Sequence, residues 1–239
     1  MPGSRGRVIL VRHAQASFGS ANYDQLSDMG TEQARLLGEW FAEAGQSFHR
    51  IVTGDMERHR QTAQACTAAM PKALLLDSGW ETDAGFNEYD HHEVLIRHRP
   101  AFDDPAAVRT FFADTPNARY VFQEIFQAAM ARWMSGEHDG NYREPWRLFQ
   151  ARCVDALERL IGSAGKSQSI AVFTSGGTIA TLCQHVLGFP DRKVAELNWS
   201  LVNCAVTRLM FRPGALTLSY LNSFGHFERL GRPELITYR

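Results

Sequence analysis

The chain has 239 residues, with 25 Lys plus Arg against 26 Asp plus Glu and a formal net charge of −1. At 44% hydrophobic and 21% charged residues, it is too apolar for a largely disordered chain and long enough to bury a core without disulfides or a structural metal. The near-zero charge argues against a broad nucleic-acid surface while allowing a small basic pocket, and no apolar run is long enough to span a bilayer.

Val8-Ile9-Leu10-Val11 is short, continuous and rich in β-branched residues. It predicts a buried strand, and Arg12 ends it too early for a signal-peptide core. A loop through Gly19, Ser20, Asn22 and Asp24 follows. Ser27-Asp28-Met29-Gly30 opens a helix expected to reach about Ala44, with Ala34, Leu37, Trp40 and Phe41 on one face. A strand is expected over Arg50–Thr53, a helix over about Glu57–Met70 stopped by Pro71, and a third strand over Ala73–Leu76.

From about 90 to 144 this alternation stops. Helical pieces around Glu93–Arg99, Ala106–Ala113 and Val121–Met134 are separated by Pro100, Pro105 and Pro116. The stretch reads as an inserted helical lid, with Phe111, Phe112, Tyr120, Phe122, Phe126 and Trp133 as its core and a minority of them lining a pocket. A long helix from about Pro145 to Ser163 follows, with Phe149, Val154, Leu157 and Ile161 on one stripe. Ile170–Thr174 is the next strand. Ser175-Gly176-Gly177-Thr178 then turns into a helix reaching about Leu187. Strands over Ala205–Phe211 and Leu216–Leu221 flank Pro213-Gly214 as a hairpin. Strands alternating with helices imply an α/β fold with a largely parallel sheet, here one domain over 1–239 carrying the lid at about 90–144. Cys66, Cys153, Cys183 and Cys204 form no Cys-x-x-Cys pair and read as reduced, mostly buried thiols of a cytoplasmic protein.

Arg12 and His13 follow the first strand, where open α/β sheets place their ligands. Arg12 offers a planar fork to phosphate oxygens, His13 a nitrogen nucleophile, and the small Ala14 lets a ligand approach the backbone. Alone, the pair reads equally well as an exposed loop. Thr53-Gly54-Asp55-Met56-Glu57-Arg58 and Thr174-Ser175-Gly176-Gly177-Thr178 also follow strands and open helices, so each is expected to present free N–H groups to an anion. Three strand-end turns, two of them carrying Arg, suggest one phosphate pocket. Asp90-His91-His92-Glu93 lacks metal-ligand spacing, because neighbouring helical residues do not converge on one point. Phe173 before Thr174-Ser175 breaks the Gly-x-Ser-x-Gly pattern of serine hydrolases.

Taken together these blocks resemble the histidine phosphatase superfamily, also called the phosphoglycerate mutase-like family. Arg12-His13-Ala14 is similar to its opening Arg-His-Gly, and Leu26-Ser27-Asp28-Met29-Gly30-Thr31-Glu32-Gln33-Ala34 to its Leu-(Ser/Thr)-x-x-Gly-x-x-Gln-Ala. Gly54-Asp55-Met56-Glu57-Arg58-His59-Arg60-Gln61-Thr62-Ala63 matches Ser-Asp-Leu-x-Arg-Ala-x-Gln-Thr-Ala, which makes Arg58 rather than Arg60 the pocket arginine. Phe86-Asn87-Glu88 matches Leu-x-Glu, and Asn222 to Phe227 is similar to the Asn-x-x-x-His-Leu ending.

The resemblance implies a three-layer α/β/α sandwich with a mostly parallel central sheet and an inserted helical lid. It implies a phosphatase in which His13 attacks phosphorus and Glu88 serves as general acid and base. Arg12, Arg58, Ser175 and Gly176 bind the phosphate, and no metal or nucleotide cofactor takes part. A small phosphorylated substrate is the expected partner, without nucleic acid or membrane; oligomeric state stays open. One departure stands out, because Ser175 holds the place of a second pocket histidine in a (Ser/Thr)-His-Gly-Gly turn. Loss of one charged donor would cost ~2–4 kcal/mol in the transition state. That leaves either a slow phosphatase or a catalytically impaired phosphoester-binding or regulatory protein. A sugar-phosphate mutase is disfavoured because Tyr89-Asp90-His91-His92, not Arg-x-Tyr-Gly, follows Glu88. His91, His92 and His226 are the candidates for a replacement histidine.

Overall fold

In the computed structural model, which describes residues 5–17, 24–76 and 79–238, the sheet is built around Gly6–Arg12 (β1). The expected loop through Gly19, Ser20 and Asn22 lies outside those residues. The strands that follow are Arg50–Thr53 (β2), Trp80–Thr82 (β3), Ser169–Thr174 (β4), Val206–Arg212 (β5) and Ala215–Ser223 (β6). Their spatial order is β3-β2-β4-β1-β5-β6. β1 pairs in parallel with β4, and β2 with both β4 and β3. β5 runs antiparallel to β1 and β6, so the sheet is mostly parallel.

The parallel strands are apolar on both faces because both faces are covered. Ile9, Val11, Ile51 and Phe173 pack with Leu37 and Phe41 of Asp28–Glu43 (α1) and Ala63 and Cys66 of Glu57–Ala68 (α2). Val8, Leu10, Val52 and Val172 face Trp146–Gly162 (α6), Gly176–Leu187 (α7) and Asp191–Ser200 (α8). The result is a three-layer α/β/α sandwich. α1 starts where Ser27 accepts a hydrogen bond from Gly30 N at 3.0 Å, a side-chain N-cap. A last short helix, Gly225–Glu228 (α9), follows β6.

Between β3 and α6 lie His91–His98 (α3), Pro105–Asp114 (α4) and Ala118–Met134 (α5). Phe102, Phe111, Phe112 and Phe122 stack on one another there. Trp133 instead joins the main core against Tyr89 and Trp146, and Tyr120 is 65% exposed, so these two are not lid core; Phe112 lies at the margin of the cluster, 42% exposed. All four cysteines are free and buried, and burial pushes the thiols of Cys153 and Cys183 up to about 12. Among the described residues no helix is long and apolar enough to cross a membrane.

Three expectations need correction. Ala73–Leu76 is not a strand: Lys72–Leu74 forms one 3-10 turn after Pro71, and Leu75 makes an isolated bridge to Phe48. The paired strand is β3, at the sheet edge, where Trp80 and Thr82 are exposed and no buried alternation marks it. The buried face of α6 runs through Trp146, Phe149, Cys153, Ala156, Leu157 and Leu160, with Val154 and Ile161 at its margins. Small residues fill the centre of that contact, so the largest side chains misplace the stripe. Finally α8 was not anticipated, because it buries only Val194, Ala195 and Asn198.

The register of α6 is testable with one residue type. Leu160→Ala, in the core, is expected to destabilise the fold by about 2–5 kcal/mol. Leu148→Ala, 59% exposed on the same helix, should stay within about 0.5 kcal/mol. Urea unfolding of both proteins decides; equal losses would mean the helix is rotated.

Candidate functional site

Parallel pairing brings the carboxyl ends of β1, β2 and β4 to one edge, with Arg12 opposite Thr174 and Thr53 opposite Phe173. A cavity of about 460 Å³ opens there. Arg12, His13, Arg58 and Glu88 all line it, so the structure brings these four sequence candidates together. They are also among the buried charged or polar residues of the chain. The remaining wall is largely aromatic, with Tyr89, His91, Phe122, Phe126 and Trp199.

His13 is held by its backbone. Its N–H donates to Thr174 O at 2.8 Å, and its carbonyl accepts from Asn203 Nδ2 at 2.9 Å. The ring Nδ1 lies 2.7 Å from Ala14 O. A carbonyl only accepts, so Nδ1 carries the proton and Nε2 keeps its lone pair. Burial, then the neighbouring Arg58, Arg12 and His59, hold this imidazole well below the usual histidine range. The ring therefore stays neutral around pH 7, the state in which it can attack.

Arg12 sends Nη2 to Tyr238 O at 2.9 Å and Nη1 to Leu201 O, which fixes the plane of its guanidinium. Arg58 Nη1 pairs with Asp24 Oδ1 at 2.8 Å. Arg60, two residues on, points away: it bonds Asp55 O at 2.6 Å and Glu57 at 2.5 Å and is half-buried. Glu88 follows the single 3-10 turn Ala84–Phe86. That segment is tied down where Arg152 Nη1 and Thr178 Oγ1 donate to Asn87 O at 2.9 and 3.0 Å. Glu88 Oε2 accepts from Gly177 N at 2.9 Å, and Oε1 from Tyr89 N at 3.2 Å. A Cβ at Gly177 would stand 2.2 Å from Glu88 Oε1, so a larger residue here would displace that carboxylate.

Both helix starts differ from expectation. At α2, Asp24 accepts from Glu57 N at 2.8 Å and from Arg58 N at 3.4 Å. At α7, Glu88 takes Gly177 N. The protein's own carboxylates thus take two N–H groups at the start of α2 and one at the start of α7, while Arg12 and Arg58 bring cationic side chains to the cavity. Gly176 begins α7 beside Arg12 and Asn198. Ser175 is fully buried, and its Oγ lies 2.6 Å from His59 Nε2.

His59, which was not among the three candidates, is thus the histidine beside Ser175. His91 and His92 do line the cavity, but His91 packs on Tyr89 at 4.3 Å and His92 bonds Asp103 at 3.0 Å. His226 is elsewhere, buried between Trp40 and Phe227, where burial first and Arg229 second bring it to about 4. Also missed was the scaffold behind His13. Gln33 accepts from Gln15 N at 2.9 Å, Thr62 Oγ1 accepts from Ala14 N at 3.0 Å, and Asn203 N bonds Thr237 O at 2.8 Å. Gln33 and Thr62 stood in the matched blocks, so their signal was present; Asn203 had none.

The family model for the histidine phosphatase superfamily (branch 1) matches residues 8–136 and 117–223. Serine/threonine-protein phosphatase PGAM5, mitochondrial, from Xenopus laevis is 31% identical over 72 residues, 29% of this chain and 26% of that protein. The match thus spans about a quarter of that relative. A phosphoglycerate mutase from Bacillus anthracis superposes with a TM-score of 0.65 at 15% identity, covering 96% of this chain and 98% of that one. A phosphoserine phosphatase from Entamoeba histolytica, solved with 3-phosphoglyceric acid, gives 0.58 at 18% identity over 92% and 98%. These structural likenesses establish a shared fold.

Two outcomes are expected. In an NMR titration the His13 ring should protonate with a midpoint well below 6.5; an ordinary midpoint would contradict its burial between two arginines. Arg58→Ala should weaken vanadate binding by tenfold or more, about 1.4 kcal/mol, while Arg60→Ala leaves it near wild type. Calorimetry reads both, and a larger loss at Arg60 would overturn the assignment.

Proposed function

The chain belongs to the histidine phosphatase superfamily (branch 1), and from that premise we propose that it hydrolyses phosphomonoesters of small phosphorylated metabolites through a phosphohistidine on His13. The observation that carries this reading is the His13 ring. Its Nδ1–H is committed to Ala14 O, its Nε2 retains a lone pair, and the residue borders a cavity that Arg12 and Arg58 also line.

In the first step Nε2 attacks phosphorus in line, the phosphorus–ester oxygen bond breaks, and Glu88 gives its proton to the leaving alcohol. Arg12 and Arg58 stabilise the charge on the equatorial oxygens. In the second step Glu88 takes a proton from water, the resulting oxygen attacks phosphorus, and the phosphorus–nitrogen bond breaks to release inorganic phosphate and neutral His13. No metal or nucleotide is required. Two arginines suit a single phosphoryl group, and the volume and aromatic wall suit a small substrate with an apolar or planar body. The helices over 91–134 act in this reading as the lid that selects that body. Four free buried thiols suit a reducing compartment, which supports a cytoplasmic location.

The test uses p-nitrophenyl phosphate and a panel of small phosphoesters. Wild-type protein should turn over at least one of them and yield an acid-labile phosphoenzyme. His13→Ala should fall to background with a circular-dichroism melt close to wild type. Wild-type turnover in a folded His13→Ala protein would sink the phosphohistidine mechanism. Phosphoryl movement between positions of a sugar phosphate, instead of release to water, would identify a mutase.

A further inference from the structure

His59 has no role in that mechanism, yet it is fully buried beside it. Its ring centroid is 5.8 Å from that of His13, and its Nε2 is 2.6 Å from Ser175 Oγ. Ser175 follows Thr174, whose carbonyl receives the His13 N–H, so Ser175 and His13 leave neighbouring strand ends side by side. Ser175 is the N-cap residue of α7, but its hydroxyl makes no capping bond. His59 Nδ1 has no hydrogen-bond partner among the described residues.

That last fact selects the tautomer. A buried N–H without an acceptor is rarer and costlier than a buried lone pair without a donor. The proton therefore belongs on Nε2, which donates to Ser175 Oγ. The serine oxygen then accepts from His59, and its own proton has no acceptor among the described residues. A hydroxyl that accepts one hydrogen bond is a stronger donor of the next. Burial, followed by Arg58 and Arg60, keeps the His59 ring neutral, consistent with a fixed donor in place of a second cation.

We propose that His59 is a positioning residue for the phosphoryl pocket: its Nε2–H donates to Ser175 Oγ and turns the Ser175 hydroxyl proton toward the phosphoryl oxygens held by Arg12 and Arg58. The inference rests on the His13 reading. Three departures from the matched blocks meet at this point: Gly54 for Ser, His59 for Ala and Ser175 for His. A Cβ at Gly54 would stand 2.3 Å from His59 Nδ1, so the glycine makes room for the ring. An imidazole reaches this turn from α2 instead of from the start of α7.

The experiment is a double-mutant cycle in kcat, KM and vanadate affinity. It uses Ser175→Ala and His59→Leu, which retains most of the ring's bulk without a donor. Each single change should lower kcat and vanadate affinity by roughly tenfold or more, with KM nearly unchanged. The double mutant should lose no more than the weaker single mutant. His59→Gln, which offers an amide N–H toward Ser175, should recover most of the loss, as should His59→Ala combined with Ser175→His. Nitrogen NMR of the wild-type ring should show the Nε2–H tautomer. An Nδ1–H tautomer, losses that multiply, or a folded His59→Leu with unchanged kcat and vanadate affinity would each overturn the proposal. Should His59→Leu fail to fold, the tautomer and the response of the His59 ring signals to Ser175→Ala decide. Wild-type turnover in His13→Ala would defeat the phosphohistidine reading as well. An inactive His13→Ala with multiplicative losses defeats only the relay.

Discussion

One residue beyond the last register pair of β1 and β4, the His13 N–H donates to the Thr174 carbonyl at 2.8 Å. The rest of the site depends on this continuation of the parallel ladder. It forces two strand-end turns, Arg12-His13-Ala14 and Thr174-Ser175-Gly176, to diverge from a common line with a defined offset. Asn203 holds the His13 carbonyl from β1's other side, and Thr62 on α2 receives the Ala14 N–H. With its backbone fixed on three sides, His13 orients its ring through the short local bond to Ala14 O. In the phosphohistidine mechanism proposed above, a nucleophile held in this way loses little entropy when a substrate arrives.

Electrostatics follows from the same crowding. Two guanidinium groups share the buried edge of the sheet, and isolated burial of either would be costly. Arg12 is offset by the carbonyls of Leu201 and Tyr238, Arg58 by the carboxylate of Asp24. Asp24 also caps α2, and Glu88 reaches the start of α7. Part of each helix start is thereby satisfied by the protein, and the cationic Arg12 and Arg58 line the cavity. Both His13 and His59 are kept neutral, which leaves one ring with a usable lone pair and the other as a fixed donor. A phosphoryl dianion entering this space meets positive charge that needs no reorganisation to receive it.

Packing against the sheet explains why glycine appears where it does. At Gly177 the carboxylate of Glu88 occupies the space a side chain would take, and at Gly54 the ring of His59 does. Each glycine is thus paired with one functional side chain from another element. The aromatic wall has a similar logic. Tyr89 belongs at once to the main core, against Trp133 and Phe149, and to the cavity lining, so the position of the wall follows the core.

Periodicity and short blocks settled much of this protein without coordinates. The apolar runs of β1, β2 and β4, the capped start of α1 and the hairpin of β5 and β6 are all local signals, set by short continuous apolar stretches and by Ser27, Pro71 and Gly214. The order of Arg12-His13, Arg58 and Glu88 along the chain named four residues that line the cavity, and Ser175-Gly176 the turn beside His13, because the strands before them end at the same sheet edge. Elements whose apolar side chains are few or outward-facing were not legible: β3 at the edge and α8 with its narrow buried face. The span of α6 was legible, but not its buried face, which is centred on Cys153 and Ala156. Tertiary structure alone decided that Asp24 and Glu88 accept from N–H groups at the starts of α2 and α7. It alone brought His59 to Ser175, since residues 116 positions apart share no local signal, and a histidine within a helix looks the same in sequence whether it faces solvent or a buried hydroxyl.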